Sequence, residues 1–369
     1  MGIRLDGTTD TISAPGSDLN LGQSGDSVKV ASAVKLPTAG ALSHRNLVVN
    51  GSMSVAQRGT SVTGVANDSN EGYQTLDRFA LYFANSAGGE CTVSQSTDVP
   101  SNQGFSNSYK VDVTTADTSV DTTHMIYVAH KVEAQNARNS GWNYTSTSSY
   151  VTLSFWVKSS KAGTYCVAAR ANDAGAVYYP FEYTLVANTW KKVTHSFPGD
   201  SSLVINNDNG VGFELRWYLV AGTDRDNGTA NQWNANNTSN AATSSQVNFF
   251  DSTSNEFYLT GVQLEVGEVA TDFEHRSYGD ELARSQRYYQ EAGVVLSNTT
   301  PDRYYVHVSL PVTMRDSPTI SSGNIASGSG GSLLALNSRA GNNTDKTHFY
   351  QGNNNSVISN AWFKFDDEL

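Results

Sequence analysis

Residues Phe257 to Glu291 read FYLTGVQLEVGEVATDFEHRSYGDELARSQRYYQE, and this run decides how the chain is divided. Its first half alternates as a strand does: Phe257, Leu259 and Gly261 point one way, then Val262, Leu264 and Val266 the other. Its second half changes to a helical period, with Leu282, Gln286 and Tyr289 spaced to share one face and charged residues between them. A final sheet strand thus passes through a charged, proline-free turn into a short helix, closing one domain and handing the chain to the next.

Composition sets the frame around that run. The chain has 369 residues, room for two or three domains at roughly 100–200 residues each. Its net charge is −11 and its longest basic cluster is Lys191-Lys192, whereas a nucleic-acid surface needs cations massed against phosphates. Nucleic acid is therefore not an expected partner. No apolar run approaches the ~18 residues that a membrane span requires. The opening MGIRLDGTTD lacks the basic start and apolar stretch of a signal peptide, so synthesis in a cytoplasm without secretion or membrane insertion is expected. Only 16% of residues are charged, while Ser, Thr, Asn and Gly abound, which predicts a mainly β fold with long polar loops. Cys91 and Cys166 both fall in strand-like segments; they read as buried small hydrophobes, with a disulfide as the alternative.

Residues 1–45 differ in texture from the rest. The doublets Leu19/Leu21, Val28/Val30 and Val34/Leu36 are separated by Gly, Ser and Asp turns. Strands so short cannot bury enough surface alone to offset their ordering entropy. Either the segment is disordered or several copies wind together into a shared core.

From Asn46 the strand signals come at regular intervals: Phe79–Phe83, Cys91–Gln95, Tyr109–Val113, His124–Val132, Tyr150–Lys158, Gly163–Arg170, Tyr179–Leu185, Trp190–Phe197, Gly212–Leu219 and Phe257–Leu264. In the strand Tyr150–Lys158, the odd positions Val151, Leu153, Phe155 and Val157 share a face. Ten such strands with Asn/Gly-rich connections predict a two-sheet sandwich over 46–276. A long polar insertion between Thr223 and Gln246, with Trp233 its one aromatic, is expected to project from it as functional loops of this length do. A linking helix follows over 277–292. Residues 293–369 predict a second, smaller β domain, with strands at Arg303–Pro311, Leu333–Leu336, His348–Gln351 and Ala361–Phe365.

Several of these phrases carry a resemblance. Asn50-Gly51-Ser52-Met53, Ser154-Phe155-Trp156-Val157-Lys158 and Gly261-Val262-Gln263-Leu264-Glu265 resemble the opening, central and closing strands of carbohydrate-binding-module jelly rolls. The blocks Val262–Glu265, Ala270–Glu274 and Ser285–Tyr289, with LPVTMRDSPTI and the final AWFKFDDEL, resemble structural proteins of tailed, especially marine, bacteriophages. The doublets of residues 1–45 resemble the trimeric β-prism stems of phage tail fibres. The resemblance implies a short trimeric β stem (1–45) that docks on the particle, with Leu19, Leu21, Val28 and Val30 as trimerisation and docking residues. It implies a jelly-roll body, a linking helix and a C-terminal tip. The protein would be a homotrimeric tail fibre in the virion, assembled in the host cytoplasm, bound to a tail adaptor, nozzle or portal-proximal protein and attaching to a host-surface glycan. A capsid head fibre or decoration protein, and a free carbohydrate-binding protein, are the alternatives.

No catalytic signature accompanies these features. There is no G-x-S-x-G, and the seven histidines are scattered without metal-ligand spacing. Nor is there a repeat that would signal a β-helix. The chain is therefore not expected to be an enzyme. Glycans are gripped by flat aromatics stacked on pyranose faces, with amides and charged groups on the hydroxyls. Trp233 in its polar loop fits that pattern, as do Tyr178, Tyr179 and Trp142, whereas Trp156, Trp190 and Trp217 lie within strands and are expected mostly in the core. No cofactor is expected; the jelly-roll resemblance leaves room for a structural Ca²⁺ with Asp77 and Glu265 as candidate ligands.

Overall fold

The computed structural model describes residues 44–173, 175, 177–235, 237–294, 303–327, 346–352 and 358–369. The expected stem with Leu19, Leu21, Val28 and Val30, and the expected strand Leu333–Leu336, lie outside the described residues.

Eleven strands build the body: β1 (Ser61–Val65), β2 (Ala80–Ala84), β3 (Glu90–Ser96), β4 (Ser108–Thr115), β5 (Met125–Glu133), β6 (Tyr150–Ser159), β7 (Gly163–Ala171), β8 (Val177–Leu185), β9 (Lys191–Pro198), β10 (Val211–Ala221) and β11 (Glu256–Val266). They form an antiparallel six-stranded sheet ordered β1-β3-β4-β11-β6-β9 and an antiparallel five-stranded sheet ordered β2-β5-β10-β7-β8. The fold is the expected jelly-roll sandwich. All ten predicted strands are present, and β1 is an eleventh beyond them. On β6, Val151, Leu153, Phe155 and Val157 turn inward and are fully buried. They meet the five-stranded sheet across Trp217, whose ring stands edge-on to Phe155 at 5.7 Å. Burying each such large side chain stabilises the fold by about 1.5–3 kcal/mol. Cys91 and Cys166 are buried free thiols.

The change of phase in the quoted run has a physical cause. Phe257 and Leu259 face the core from odd positions, and Val262 and Leu264 from even ones. Between them the register of β11 against β6 slips at Thr260/Gln263, and Gly261 takes φ +60°. A bulge inserts one residue and re-aims all that follows. A methyl group at Gly261 would stand 2.6 Å from Phe105 Cζ, so both conformation and space demand glycine. Past the bulge β11 leaves β4 and is met by the segment around Asn46: Leu47 N donates to Leu264 O at 2.9 Å and Val262 N to Gly51 O at 2.9 Å. The buried Asn50 amide then accepts from Val55 N (2.9 Å) and donates to Val55 O (2.8 Å) and Asp77 O (2.9 Å). The Asn50-Gly51 phrase thus closes the sandwich at the strand that ends it. His44 and Arg45 already belong to this clamp: Glu274 accepts from the His44 and Asn46 amides, and Arg45 Nη2 donates to Asp272 O at 2.6 Å. The body therefore begins before the expected boundary at 46.

The insertion after β10 does not project. It folds back along β8, where Asn234 N donates to Tyr178 O (2.7 Å) and Asn231 N to Pro180 O (2.8 Å), and it buries Ala241 and Ala242 against Tyr178 and Tyr218. An edge strand needs such a cover, and the polar, Asn-rich sequence supplies the amides that make it.

Helix α1 (Ala134–Arg138) follows β5, and helix α2 (Tyr278–Gln286) follows the turn after β11. Ser277 caps α2, its side chain accepting from Asp280 N, with Asp280 and Glu281 in the first turn. The helix is shorter than 277–292, and its buried residues are Glu281 and Ser285 instead of the Leu282/Gln286/Tyr289 stripe. Tyr289 instead opens β12 (Tyr289–Val294). The remaining strands are β13 (Arg303–Ser309), β14 (Thr319–Ser327), β15 (Lys346–Gly352) and β16 (Ile358–Asp366), in sheets ordered β12-β16-β14 and β13-β15. These strands were expected as a separate tip. The structure instead stitches their end into the body. Arg58 pairs with Asp366 (3.0 Å) and Glu368 (3.2 Å), the fully buried Arg78 pairs with Glu368, and Lys131 Nζ donates to Leu369 O at 2.6 Å. The Arg58 and Arg78 guanidinium groups lie 3.6 and 3.5 Å from the ring centroids of Tyr289 and Tyr288.

Two measurements check this account. Gly261→Ala should cost about 3 kcal/mol in denaturant unfolding, from left-handed backbone and overpacking together; Gly279→Ala, where a methyl meets nothing within 4 Å, should cost nothing. The second concerns Glu133, which is fully buried at the end of β5. Burial alone would raise its pKa, but a two-pronged Arg287 (2.9 and 3.0 Å), the Tyr288 hydroxyl (2.7 Å) and Gln135 outweigh it and hold the carboxyl below its ordinary value of 4.5. A lowered folded-state pKa stabilises above the unfolded value, and that contribution is lost as pH falls through the folded one. Unfolding midpoints measured downward from pH 5 should therefore drop more steeply for the wild type than for Glu133→Gln.

Candidate functional site

Most aromatics singled out for glycan contact are inside the protein. Trp142 is 4% exposed, stands edge-on to Phe213 at 5.6 Å and donates Nε1 to Ser149 O at 3.3 Å. Tyr179 is 4% exposed and packs on Phe197 and Trp233 at 5.1 and 5.2 Å. Tyr178 points to the other side of β8, where the folded-back insertion covers it. Trp233 is half-buried against the core and its Nε1 donates to Pro198 O at 2.8 Å; it is a clasp for the insertion. Trp142, Tyr178 and Tyr179 leave no ring face for a sugar, because they fill the sandwich or lie under the cover of its edge, and Trp233 has its Nε1 and one side committed to the body.

The proposed metal ligands are likewise committed elsewhere. Asp77 accepts from the Gln57 amide (3.0 Å) and its Nε2, and burial pushes its carboxyl up to about 6. Glu265 accepts from Thr271 N (2.8 Å), Thr271 Oγ1 (2.7 Å) and Gln263 Nε2 (2.8 Å), with Arg45 Nε at 3.5 Å. Each carboxylate anchors a turn, and among the described residues no group of three or more His, Cys, Asp or Glu is placed to hold a metal ion.

The open aromatic surface lies on the outer face of the six-stranded sheet. Trp156 shares its side of β6 with Ser154 and Lys158, opposite the inward Phe155 and Val157, and it is half-buried. With Trp190 also half-buried, two of the three strand tryptophans expected in the core stand outside it; Trp217 alone is fully buried. Beside Trp156 is a pocket of about 190 Å³. Its wall is a cluster of three rings, Phe105, Phe273 and His275, with centroids 4.9–5.2 Å apart. Phe105 reaches this position because Gly261 has no side chain in its path. The rim is polar: Asn102, Gln103, Lys192, Asp272 and His275 are all exposed. Flat rings flanked by outward amides, a cation and a carboxylate match what a pyranose needs. A larger cavity of about 430 Å³ lies between His44–Val49 and α1, but no Trp, Tyr or Phe is among its described lining residues.

No protein-family model matches the chain, and no curated protein matches it. Among solved structures, a CBM4 protein aligns at 13% identity and a TM-score of 0.30, over 59% of this chain and 99% of its own. A sugar-binding candidate from Bacteroides thetaiotaomicron aligns at 12% identity and 0.31, over 60% and 99%. A cyclase from Fischerella sp. TAU aligns at 10% identity and 0.30, over 57% and 100%.

Proposed function

We propose that the protein is a non-enzymatic glycan-binding component of a phage virion, a homotrimeric tail fibre that attaches to the host surface. The observation that carries the binding part is the open pocket of Trp156, Phe273 and His275 with its exposed amide, ammonium and carboxylate rim. Asp272 is the one carboxylate among the described residues that line it. Glycoside cleavage uses two carboxylates across the scissile bond, so the lining favours holding a sugar over cutting one. The virion part is supported by the resemblance of Val262–Glu265, Ala270–Glu274 and Ser285–Tyr289 to phage structural proteins. Here those blocks form the stretch after the bulge, the turn bearing Asp272 and Phe273, and the Arg287–Tyr288 junction with Glu133. A shallow pocket binds one sugar weakly, and a trimer presenting three can raise avidity about 10²–10⁴-fold.

Calorimetric titration of the full chain with host-surface glycan fragments tests the site. Trp156→Ala should abolish binding while leaving the protein folded, at a smaller loss of unfolding free energy than a core tryptophan costs. Trp142→Ala should cost about 3–5 kcal/mol of stability and leave the affinity of the folded fraction unchanged. Sedimentation equilibrium tests the assembly: a trimer that becomes a monomer on removal of residues 1–43, which leaves the His44–Arg45 clamp in place, is expected, and a monomer in both cases contradicts the fibre.

A further inference from the structure

The outer face of the six-stranded sheet holds more than one aromatic platform. β6 and β9 pair with Trp156 directly opposite Lys192, and directly opposed side chains point to the same face. Two residues along β6, Lys158 lies on that face with its ammonium 5.5 Å from the Trp190 ring. Trp190 is two residues from Lys192. The four side chains therefore form a square in which the indoles occupy one diagonal and the ammonium groups the other. From strand rise and spacing the indole-bearing Cα atoms are separated by ~8 Å.

The two cations are in different states. Lys158 is neutralised by Asp98, whose other oxygen accepts from Trp190 Nε1 at 3.0 Å. That carboxylate thereby fixes the second indole in place, and despite partial burial its pKa is held below the ordinary value by these two hydrogen bonds. Lys192 is exposed and has no ion pair among the described residues. It adjoins both indoles, directly across the strand pair from Trp156 and two residues from Trp190, and shares the pocket rim with Asp272.

We infer that this surface binds an acidic oligosaccharide, one unit stacked at Trp156 and a second at Trp190, with a sugar carboxylate on Lys192. The inference rests on the glycan-binding reading above and narrows it to uronate-containing chains. Asp272 and Asn102 would take hydroxyls at the far end of the first unit. Ionised partners make the stronger hydrogen bonds, and an otherwise unpaired ammonium is the group that would discriminate an acidic chain from a neutral one.

The test is calorimetry on the full chain with pectin- and alginate-derived tetrasaccharides against cellotetraose and galactotetraose. The wild type should prefer the acidic set. Lys192→Gln should weaken the acidic ligands roughly tenfold and leave neutral ones unchanged, and Trp190→Ala should weaken tetrasaccharides while sparing monosaccharides. If the wild type binds neutral and acidic chains alike and Lys192→Gln changes neither, the acidic specificity is wrong while the Trp156 site stands. If no chain binds, or Trp156→Ala binds as the wild type does, the site itself is wrong and the inference falls with it.

Discussion

The bulge at Gly261 is the constraint on which body and pocket both depend. β11 lies inside the six-stranded sheet, paired with β4 on one side and β6 on the other. A strand of 11 residues with unbroken alternation would present Val262 and Leu264 to solvent. Inserting one residue returns both to the core, frees the strand from β4 and lets Asn46–Gly51 take its place. The same missing side chain makes room for the Phe105 ring next to Trp156. One glycine thus sets the register of the closing strand and the wall of the candidate site.

A second arrangement ties the C-terminal strands to this body. Arg78 is buried with φ +68°, and its carboxylate partner is Glu368, near the other end of the chain. Removing one member of a buried pair costs about 3–5 kcal/mol, because the other charge is left desolvated. Arg58 and Arg78 are also sandwiched on Tyr289 and Tyr288, which follow α2 directly. The helix that the sequence marks as a boundary is therefore followed at once by residues that dock the last strands onto the sandwich.

The sandwich was legible because its strands obey period two and its core needs no distant information. The phase change at Gly261 was visible as well, as a change from odd to even apolar positions. The outward position of Trp156 is also written in the parity of its strand. The residue shares even parity with Ser154 and Lys158 while Val151, Leu153, Phe155 and Val157 hold the odd face, so it had to point outward. Residue type suggested core; parity was the better guide. The rest of the site was hidden in sequence because Asn102, Phe105, Lys192, Asp272 and His275 come together only through sheet pairing. Trp233 misled for the opposite reason: a polar loop looks exposed, and nothing local reveals that it folds back on β8. The Arg78–Glu368 pair, 290 residues apart, leaves no local mark either.

The central claim is that the outer face of the six-stranded sheet, not the aromatic cluster around Tyr179 and Trp233, holds the ligand. The most direct measurement is a crystal structure of the full chain soaked with a bound oligosaccharide. The account predicts a pyranose ring stacked on Trp156 between Phe273 and Lys192. A sugar seated instead under the insertion against Tyr178, or in the cavity beside His44–Val49, with the Trp156 face empty, would contradict it.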